Sequence, residues 1–144
     1  MPKIYINYPT GAFPENAIDS LAAEITAHAP AFEKLPDTAY VRSNIWIYAK
    51  EYAPERVYHG GIPGGTKIIS FEVNVIESGL DSEAKKQLIE FLTNSVKKHA
   101  GIPPEERAPV FVLIREVPAS NWGMFGKPVT LNALRHPSVD AVPV

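Results

Sequence analysis

The sequence predicts an α+β fold in which a tandem β-α-β repeat builds one four-stranded mixed sheet with two helices on one face. Some stretches alternate apolar and polar residues with the period of a strand, and others repeat apolar residues with the period of a helix. The order strand, helix, strand, glycine-rich turn recurs after about 64 residues, which is typical of an internal repeat. We therefore expect a single domain over residues 1–130, made of blocks 2–65 and 66–130, followed by a C-terminal tail over 131–144.

The first block is expected to begin with a strand, because residues 3–8 alternate in polarity. A helix is predicted to start at Pro14, which suits the first helical position, and to run to about His28. Pro30 should end this helix, since the residue before a proline is pushed out of the α region. A second strand is predicted over residues 39–49.

The second block repeats this plan. Residues 67–76 are rich in β-branched side chains and predict a strand. Asp81 or Ser82 is suited to cap the following helix, which should end near His99. An apolar strand is then predicted over residues 110–117. Both helices are expected on one face of the sheet, because parallel β-α-β connections are right-handed.

The opposite face of the predicted sheet needs cover, and self-association is the simplest cover. Arg115 interrupts an apolar strand, so we expect it to face a carboxylate of a partner chain. Residues 132–144 show no periodicity and are expected to wrap around a neighbour or to be loose. These features favour a closed homo-oligomer.

The composition excludes several functional classes. The chain has 14 basic and 16 acidic residues and no cysteine, which rules out disulfides, thiolate metal sites and cysteine nucleophiles. No basic run indicates a nucleic-acid or membrane partner, and no apolar segment approaches the roughly 18 residues that cross a bilayer. The N-terminus lacks a signal-peptide pattern, so a cytoplasmic location is expected. The histidines share no metal-ligand spacing, and neither a metal nor a cofactor is expected; they are His28, His59, His99 and His136.

Pro2 is the residue with the most distinctive chemistry. Removal of Met1 gives Pro2 a free secondary amine, a group that no residue inside a chain can offer. The α-amino group has a reference pKa of about 7.7–8.0, and burial beside cations lowers the pKa of an amine further. Such an amine is partly neutral near pH 7 and can act as a general base. The alternative is that Met-Pro has no role beyond starting the chain.

Several short motifs, in this order along the chain, resemble the tautomerase superfamily. An amino-terminal proline and two β-α-β blocks that each close with an aromatic-glycine turn are its hallmarks. Val41-Arg42 is similar to the Val-Arg pair of the 4-oxalocrotonate tautomerases, and residues 121–126 are similar to their last turn. The fused length and residues 57–65 look more like the cis-3-chloroacrylic acid dehalogenases. The resemblance covers residues 2 to about 128.

The resemblance implies a homotrimer that moves a proton on a small keto or enol acid without a cofactor. Pro2 would be the catalytic base, and a cation such as Arg42 would stabilise the negative charge that develops. Trp122 would wall the pocket together with Tyr58. The substrate-binding residues implied in this way are Arg42, Tyr58, Trp122, Asn121 and His28. Only one site per subunit is expected, because the second block begins inside the chain, where no free amine exists.

The sequence also departs from the family pattern. Val75 and Ser78 stand where the dehalogenases have substrate-binding arginines, and Asn121 stands at the position of their water-activating glutamate. These replacements argue against a dehalogenase, hydratase or decarboxylase-like lyase, which is the first alternative. A non-catalytic binding protein on the same scaffold is the second. Arg42 can equally be a surface or subunit-interface arginine, and histidines such as His28 are more often exposed than catalytic.

Overall fold

The structure is a computed structural model, and it describes residues 2–64 and 67–144. The processing of Met1 and the boundary between the two blocks, expected at residues 65 and 66, lie outside the described residues. Within the described ranges, no helix is both long enough and apolar enough to cross a membrane. The strands are β1 (Lys3–Pro9), β2 (Trp46–Tyr52), β3 (Tyr58–His59), β4 (Ile62–Pro63), β5 (Ile69–Ile76), β6 (Val110–Val117), β7 (Gly123–Met124) and β8 (Lys127–Pro128), and the α-helices are α1 (Ala17–Phe32), α2 (Ala39–Ser43), α3 (Ser82–Ala100) and α4 (Leu131–Arg135).

The four long strands form one mixed sheet in the order β2-β1-β5-β6. β1 runs parallel to β2, and β5 runs parallel to β6, so each half of the chain contributes one β-α-β unit. The two units join through the antiparallel pairing of β1 with β5. The α+β class and the four-stranded mixed sheet are therefore confirmed.

One face of the sheet packs against α1 and α3 and forms the main core. Ile6 lies opposite Phe71 in the β1–β5 pairing, and both side chains are fully buried. Leu21 of α1 and Leu92 of α3 cover them from the helix layer and are also fully buried. The alternation that predicts the strands thus corresponds to a helix-covered face and an opposite face.

The first helix differs from the expectation at both ends. α1 begins at Ala17, because Pro14 lies in a preceding turn whose carbonyl accepts a hydrogen bond from the Ala17 amide at 3.1 Å. Pro30 does not end the helix, which continues to Phe32. A proline in a helix removes a main-chain hydrogen bond, and this cost is offset here because Pro30 is buried and the Phe32 ring packs on Phe91 of α3 with centroids 5.5 Å apart.

The prediction of one strand over residues 39–49 is wrong in its first half. Residues 39–43 form the short helix α2, and β2 starts only at Trp46. The Thr38 side chain caps α2 by accepting a hydrogen bond from the Val41 amide at 3.1 Å. Burial of Val41 in a second apolar cluster then favours the helix. Arg42 therefore lies on a helix and does not share a strand face with Trp46.

The second apolar cluster also fixes part of the C-terminal segment. Leu134 of α4 is fully buried in it beside Leu35, Val41 and Ile76. Further along, the Val144 amide donates a hydrogen bond to Ser43 Oγ at 2.9 Å. The expectation of a loose or neighbour-bound tail is wrong for α4, because a buried leucine holds this helix on its own chain.

The sheet face opposite the helices keeps large apolar side chains at its surface. Tyr48, Phe111 and Leu113 are all more than a third exposed there. Arg115 lies on the same face, and its guanidinium is 3.4 Å from the carboxylate of Glu72 on the neighbouring strand. The expectation that Arg115 needs a carboxylate from a partner chain is therefore wrong, since its own sheet supplies one.

An ionic contact between α1 and α3 predicts acid sensitivity. Burial acts to raise the pKa of Glu24, but hydrogen bonds from His99 and Lys98 outweigh it and hold the pKa below its ordinary value. The stabilisation is therefore present above the unfolded pKa of about 4.3 and is lost as the pH falls through the lower folded value. We expect Glu24→Gln to lower the free energy of unfolding by about 1 kcal/mol at pH 7 and by much less at pH 3. Urea unfolding of this variant and of Glu90→Gln, an exposed control, at both pH values measures the difference.

The docking of α4 can be tested by truncating its buried leucine. Leu134→Ala should lower the free energy of unfolding by about 2–5 kcal/mol, because it leaves a cavity in the second cluster. Val139→Ala is the matched control, since Val139 is fully exposed in the same segment. Equal stability of the two variants in urea unfolding would contradict a docked α4.

Candidate active site

Pro2 lies buried at the start of the central strand pair. β1 has a paired neighbour on both sides, so the residue that precedes it is surrounded by protein. The Pro2 carbonyl accepts a hydrogen bond from the Trp46 amide at 3.4 Å, which ties Pro2 to the first residue of β2. Pro2 contributes to the walls of two cavities, one on each side of it.

The larger of these, the proline cavity, has a volume of about 280 Å³. Its walls come from the starts of β1 and β2 and from the turn that follows β6. The lining residues are Pro2, Lys3, Asn44, Trp46, Asn121, Trp122, Gly123, Met124 and Phe125. The cavity is open to solvent on one side and mainly apolar, as small-molecule sites usually are.

The turn after β6 is held in place by hydrogen bonds to its own chain. Trp122 Nε1 donates to the Val117 carbonyl at 3.2 Å, and the Trp122 carbonyl accepts from the Val129 amide at 3.1 Å. These bonds fix the indole as one wall of the proline cavity. Phe125 has a left-handed backbone, with φ at 50°, and a largely exposed ring. The rigid part of this wall is therefore Trp122, and Phe125 lies at the rim.

Lys3 is the charged side chain among the described residues of the proline cavity. Its ammonium lies 5.4 Å from the ring centroid of Tyr5 and 5.3 Å from that of Tyr48, and these two rings stack on each other. The interaction with the Tyr5 side chain outweighs desolvation and raises the pKa of Lys3. Lys3 is therefore a cation at neutral pH, beside the position of the Pro2 amine.

Asn44 brings a buried amide to the same cavity. Its side chain is 2% exposed, and its Nδ2 donates to the Tyr40 carbonyl at 2.7 Å, which fixes the orientation of the amide. Its Oδ1 is buried and has no hydrogen-bond partner among the described residues. Most buried polar side-chain atoms in native structures have a hydrogen-bond partner, so this oxygen is unusual.

The smaller space, the glutamate cavity, lies on the helix side of Pro2 and has a volume of about 10 Å³. All but one of its side chains are apolar. The lining residues are Pro2, Ile4, Ala29, Phe32, Glu33, Val73, Val75, Leu80 and Leu88. Glu33, which caps the C-terminus of α1, is the exception and is 1% exposed. Its Oε1 approaches Gly79 so closely that a Cβ built there would lie 3.0 Å from it.

The structure brings together some of the residues that the sequence nominates. Pro2, Asn121 and Trp122 line the proline cavity. Tyr58 lies instead in the β3–β4 hairpin, 65% exposed, beside a different cavity at the start of β5. His28 is exposed at α1, where its Nδ1 contacts the Glu24 carbonyl oxygen at 2.9 Å.

Arg42 is engaged on the surface of α2. Its guanidinium donates two hydrogen bonds to the Asp37 carboxylate, at 2.6 and 2.8 Å, and these hold the pKa of Asp37 below its ordinary value. Arg42 does not line either cavity of Pro2. Its assignment as a substrate-binding residue stays a prediction.

Sequence reasoning did not nominate Lys3, Asn44 or Glu33, which line the two cavities of Pro2. A signal existed for Lys3, because it follows the proline directly. Nothing in the sequence pattern marks Asn44 or Glu33, since both owe their burial to packing between elements that are distant along the chain.

The fold matches those of known proteins over most of the chain. N1, a member of the cis-3-chloroacrylic acid dehalogenase family, has 19% sequence identity and a TM-score of 0.70, over 89% of this chain and 83% of that chain. The Q0 fused 4-OT wild-type symmetric trimer has 20% identity and a TM-score of 0.70, over 91% and 97%. Pt0534 inactivated by 2-oxo-3-pentynoate has 21% identity and a TM-score of 0.69, over 91% and 97%. At these identities the likeness establishes the fold.

The sequence comparison adds a family. No curated protein matches the chain. The sequence model of the tautomerase enzyme family matches residues 71–132, which run from β5 through the turn containing Trp122. Residues 71–132 are thus similar to the tautomerase enzyme family, and most of the chain has the fold of N1 and of the fused 4-OT.

Proposed function

We propose that the protein is a cofactor-independent tautomerase that moves a proton on a small keto or enol acid, with the free amine of Pro2 as the base. The observation that carries this proposal is the burial of Pro2 at the floor of a cavity large enough for a small molecule. Removal of Met1 would expose a secondary amine there. Because an amine in this place has an apolar wall and a cation beside it, it is suited to proton transfer near neutral pH.

Each part of the proline cavity has a role in this reaction. Lys3 is placed to attract the substrate carboxylate and to stabilise the enolate charge that develops. Asn121 offers an amide that can hydrogen-bond a substrate oxygen. Trp46 and Trp122 form apolar walls that limit the access of water to the reacting carbon.

Proton transfer is favoured over the addition of water. Among the described residues that line the proline cavity, none is an aspartate, a glutamate or a histidine that could activate a water molecule there. The likeness to N1, of the cis-3-chloroacrylic acid dehalogenase family, keeps a lyase as the alternative. Release of halide from 3-chloroacrylate, without ketonisation of an enol acid, would favour that alternative.

The amine can be tested by blocking it. A variant with an N-terminal extension, verified by intact mass, should lose all ketonisation of an enol acid such as phenylenolpyruvate, because an amide nitrogen cannot accept the proton. Pro2→Ala with Met1 removed should be weakened and still active, since a primary amine remains. Full activity of the extended variant would refute the amine mechanism.

A covalent probe gives a second reading of the same amine. Pt0534 is inactivated by 2-oxo-3-pentynoate. If Pro2 is the reactive amine here, the same compound should inactivate this protein and add its mass to the N-terminal peptide. The extended variant is the matched control and should take up no label at that peptide.

The cation that binds the carboxylate can be identified by comparing three variants. Lys3→Met should raise KM for an enol acid roughly ten- to a hundredfold, because it removes one charged contact worth about 1.5–3 kcal/mol. Lys50→Met is the control. Lys50 lies on the same sheet face as Lys3 but does not line the proline cavity. A loss in Arg42→Met with none in Lys3→Met would return the role to Arg42.

We also propose that the chain assembles as a homotrimer, which the likeness to the Q0 symmetric trimer supports. The sheet face with Tyr48, Phe111 and Leu113 is the surface to be covered, because a large exposed apolar patch favours association. Tyr58 does not line the proline cavity of its own chain. An assembly would allow it to approach the proline cavity of a neighbouring chain.

Light scattering should give a mass near three times 15.8 kDa at micromolar concentration. Leu113→Glu should dissociate the assembly, because it places a charge on the sheet face that is to be covered. Ile89→Glu is the matched control, since Ile89 is similarly exposed on α3. A wild-type mass equal to one chain would rule out the trimer.

A further inference from the structure

We propose that a cavity remote from Pro2, the hairpin cavity, is a binding site for a small organic acid, which it holds by the carboxylate. This cavity lies between the ends of β1 and β2, the β3–β4 hairpin and the start of β5, and its volume is about 340 Å³. It shares no lining residue with the proline cavity. The inference is therefore independent of the proposed function, and it assigns no catalysis to the hairpin cavity. Its lining residues with polar side-chain groups are Asn7, Lys50, Tyr52, Tyr58, His59 and Ser70.

A row of three polar residues crosses the sheet at this cavity. Asn7 of β1 lies opposite Lys50 in the parallel pairing with β2 and opposite Ser70 in the antiparallel pairing with β5. Residues directly opposite one another on neighbouring strands share a face of the sheet. Because neighbouring strands lie about 4.8 Å apart, an ammonium, an amide and a hydroxyl follow one another over about 10 Å. Each of these groups can donate a hydrogen bond.

These donors are not used within the part of the chain that the structure describes. There, the side chains of Asn7, Lys50 and Ser70 have neither a hydrogen bond nor an ion pair. The same is true of the Tyr58 and His59 side chains, which the hairpin places at the cavity. Several hydrogen-bonding groups that converge on one cavity without internal partners are typical of a ligand site.

The framework of the cavity is formed before any ligand binds. The Tyr52 hydroxyl donates a hydrogen bond to the Ile68 carbonyl, which ties the end of β2 to the start of β5. Burial raises the pKa of Tyr52, so this hydroxyl stays protonated and keeps its bond at neutral pH. Gly60 and Gly61 close the hairpin with φ angles of 59° and 83°, a left-handed backbone that glycine adopts without strain.

The charges at the cavity favour an anion. Lys50 carries a positive charge at neutral pH. Among the described residues that line the cavity, none is an aspartate or a glutamate that could neutralise it. A carboxylate accepts several hydrogen bonds at once, and bonds from a charged donor are the strongest of these. The row headed by Lys50 therefore matches a carboxylate.

The remaining walls suit a short apolar body attached to that carboxylate. Val57 and Ile68 contribute aliphatic side chains, and Tyr52 and Tyr58 contribute aromatic ones. Tyr58 is 65% exposed, so part of its ring is free to cover a ligand. The volume falls in the usual range for small-molecule sites, about 300–1,000 Å³. An acid of the size of benzoate has both the charge and the flat apolar body that these groups require.

The experiment is a titration of the full chain, labelled with nitrogen-15, with benzoate, followed by the backbone amide signals in NMR. Benzoate should shift the signals of Asn7, Lys50 and Ser70 in a saturable manner. Benzamide has the same ring without the charge and should bind roughly ten- to a hundredfold more weakly, because a hydrogen bond between charged groups is lost. Acetate keeps the charge without the ring and should also bind more weakly than benzoate.

Substitutions separate the row from a general attraction of anions. Lys50→Met should weaken the binding of benzoate at the hairpin cavity roughly ten- to a hundredfold, whereas Lys50→Arg should retain most of it. Lys67→Met is the matched control, since Lys67 is exposed just before β5 and lines a different cavity. Lys3→Met removes the cation of the proline cavity and should leave binding at the hairpin cavity unchanged.

The comparison of benzoate with benzamide in the wild type decides the question even if a variant fails to fold. Equal affinity for the two compounds would overturn the inference, and so would shifts confined to the proline cavity. An equal loss in Lys67→Met and Lys50→Met would reduce the effect to general charge and overturn it as well. Absence of binding in the assembled wild type would show that a neighbouring chain or nothing occupies the cavity, which also overturns it. None of these results bears on the Pro2 amine, whose failure is detected by ketonisation instead.

Discussion

The pairing of β1 on both of its edges is the constraint on which the rest of the structure depends. The start of β1 is held between β2 and β5, with Lys3 opposite Trp46 on one side and opposite Asn74 on the other. Burial of Pro2 is a consequence, because an N-terminal strand at the edge of a sheet would leave its first residue in water. The same pairing joins the two β-α-β units. It therefore defines the fold and also positions the candidate site.

Pro2 lies at the border between two different environments. On the helix side, Glu33 and apolar side chains line a space of about 10 Å³ beside Pro2. On the other side, the proline cavity opens to solvent and carries Lys3. The polar groups on the two sides of Pro2 therefore differ in kind and in their exposure to solvent.

The two blocks have similar folds but differ in chemical capacity. The β3–β4 hairpin of the first block borders a cavity of about 340 Å³ beside Ile68 and Ser70, near the start of β5. This is the counterpart of the proline cavity, which the β7–β8 hairpin of the second block borders. β5 begins inside the chain, so its first nitrogen is an amide and cannot accept a proton. Duplication of the fold therefore cannot duplicate a terminal amine.

The sequence by itself determined the strands β1, β5 and β6, the helix α3 and the turn with Trp122, because each depends on a local sequence pattern. Tertiary structure decided the rest. Residues 39–43 alternate like a strand, but a threonine cap and burial of Val41 make them helical. Pro30 is a local signal for the end of a helix, but packing of the helix end extends α1 two residues beyond it. The positions of Lys3 and Glu33 in different cavities of Pro2 depend on how elements distant in the chain pack together. The surroundings of Pro2 are built by residues that are far apart in the chain. No local sequence pattern can therefore predict them.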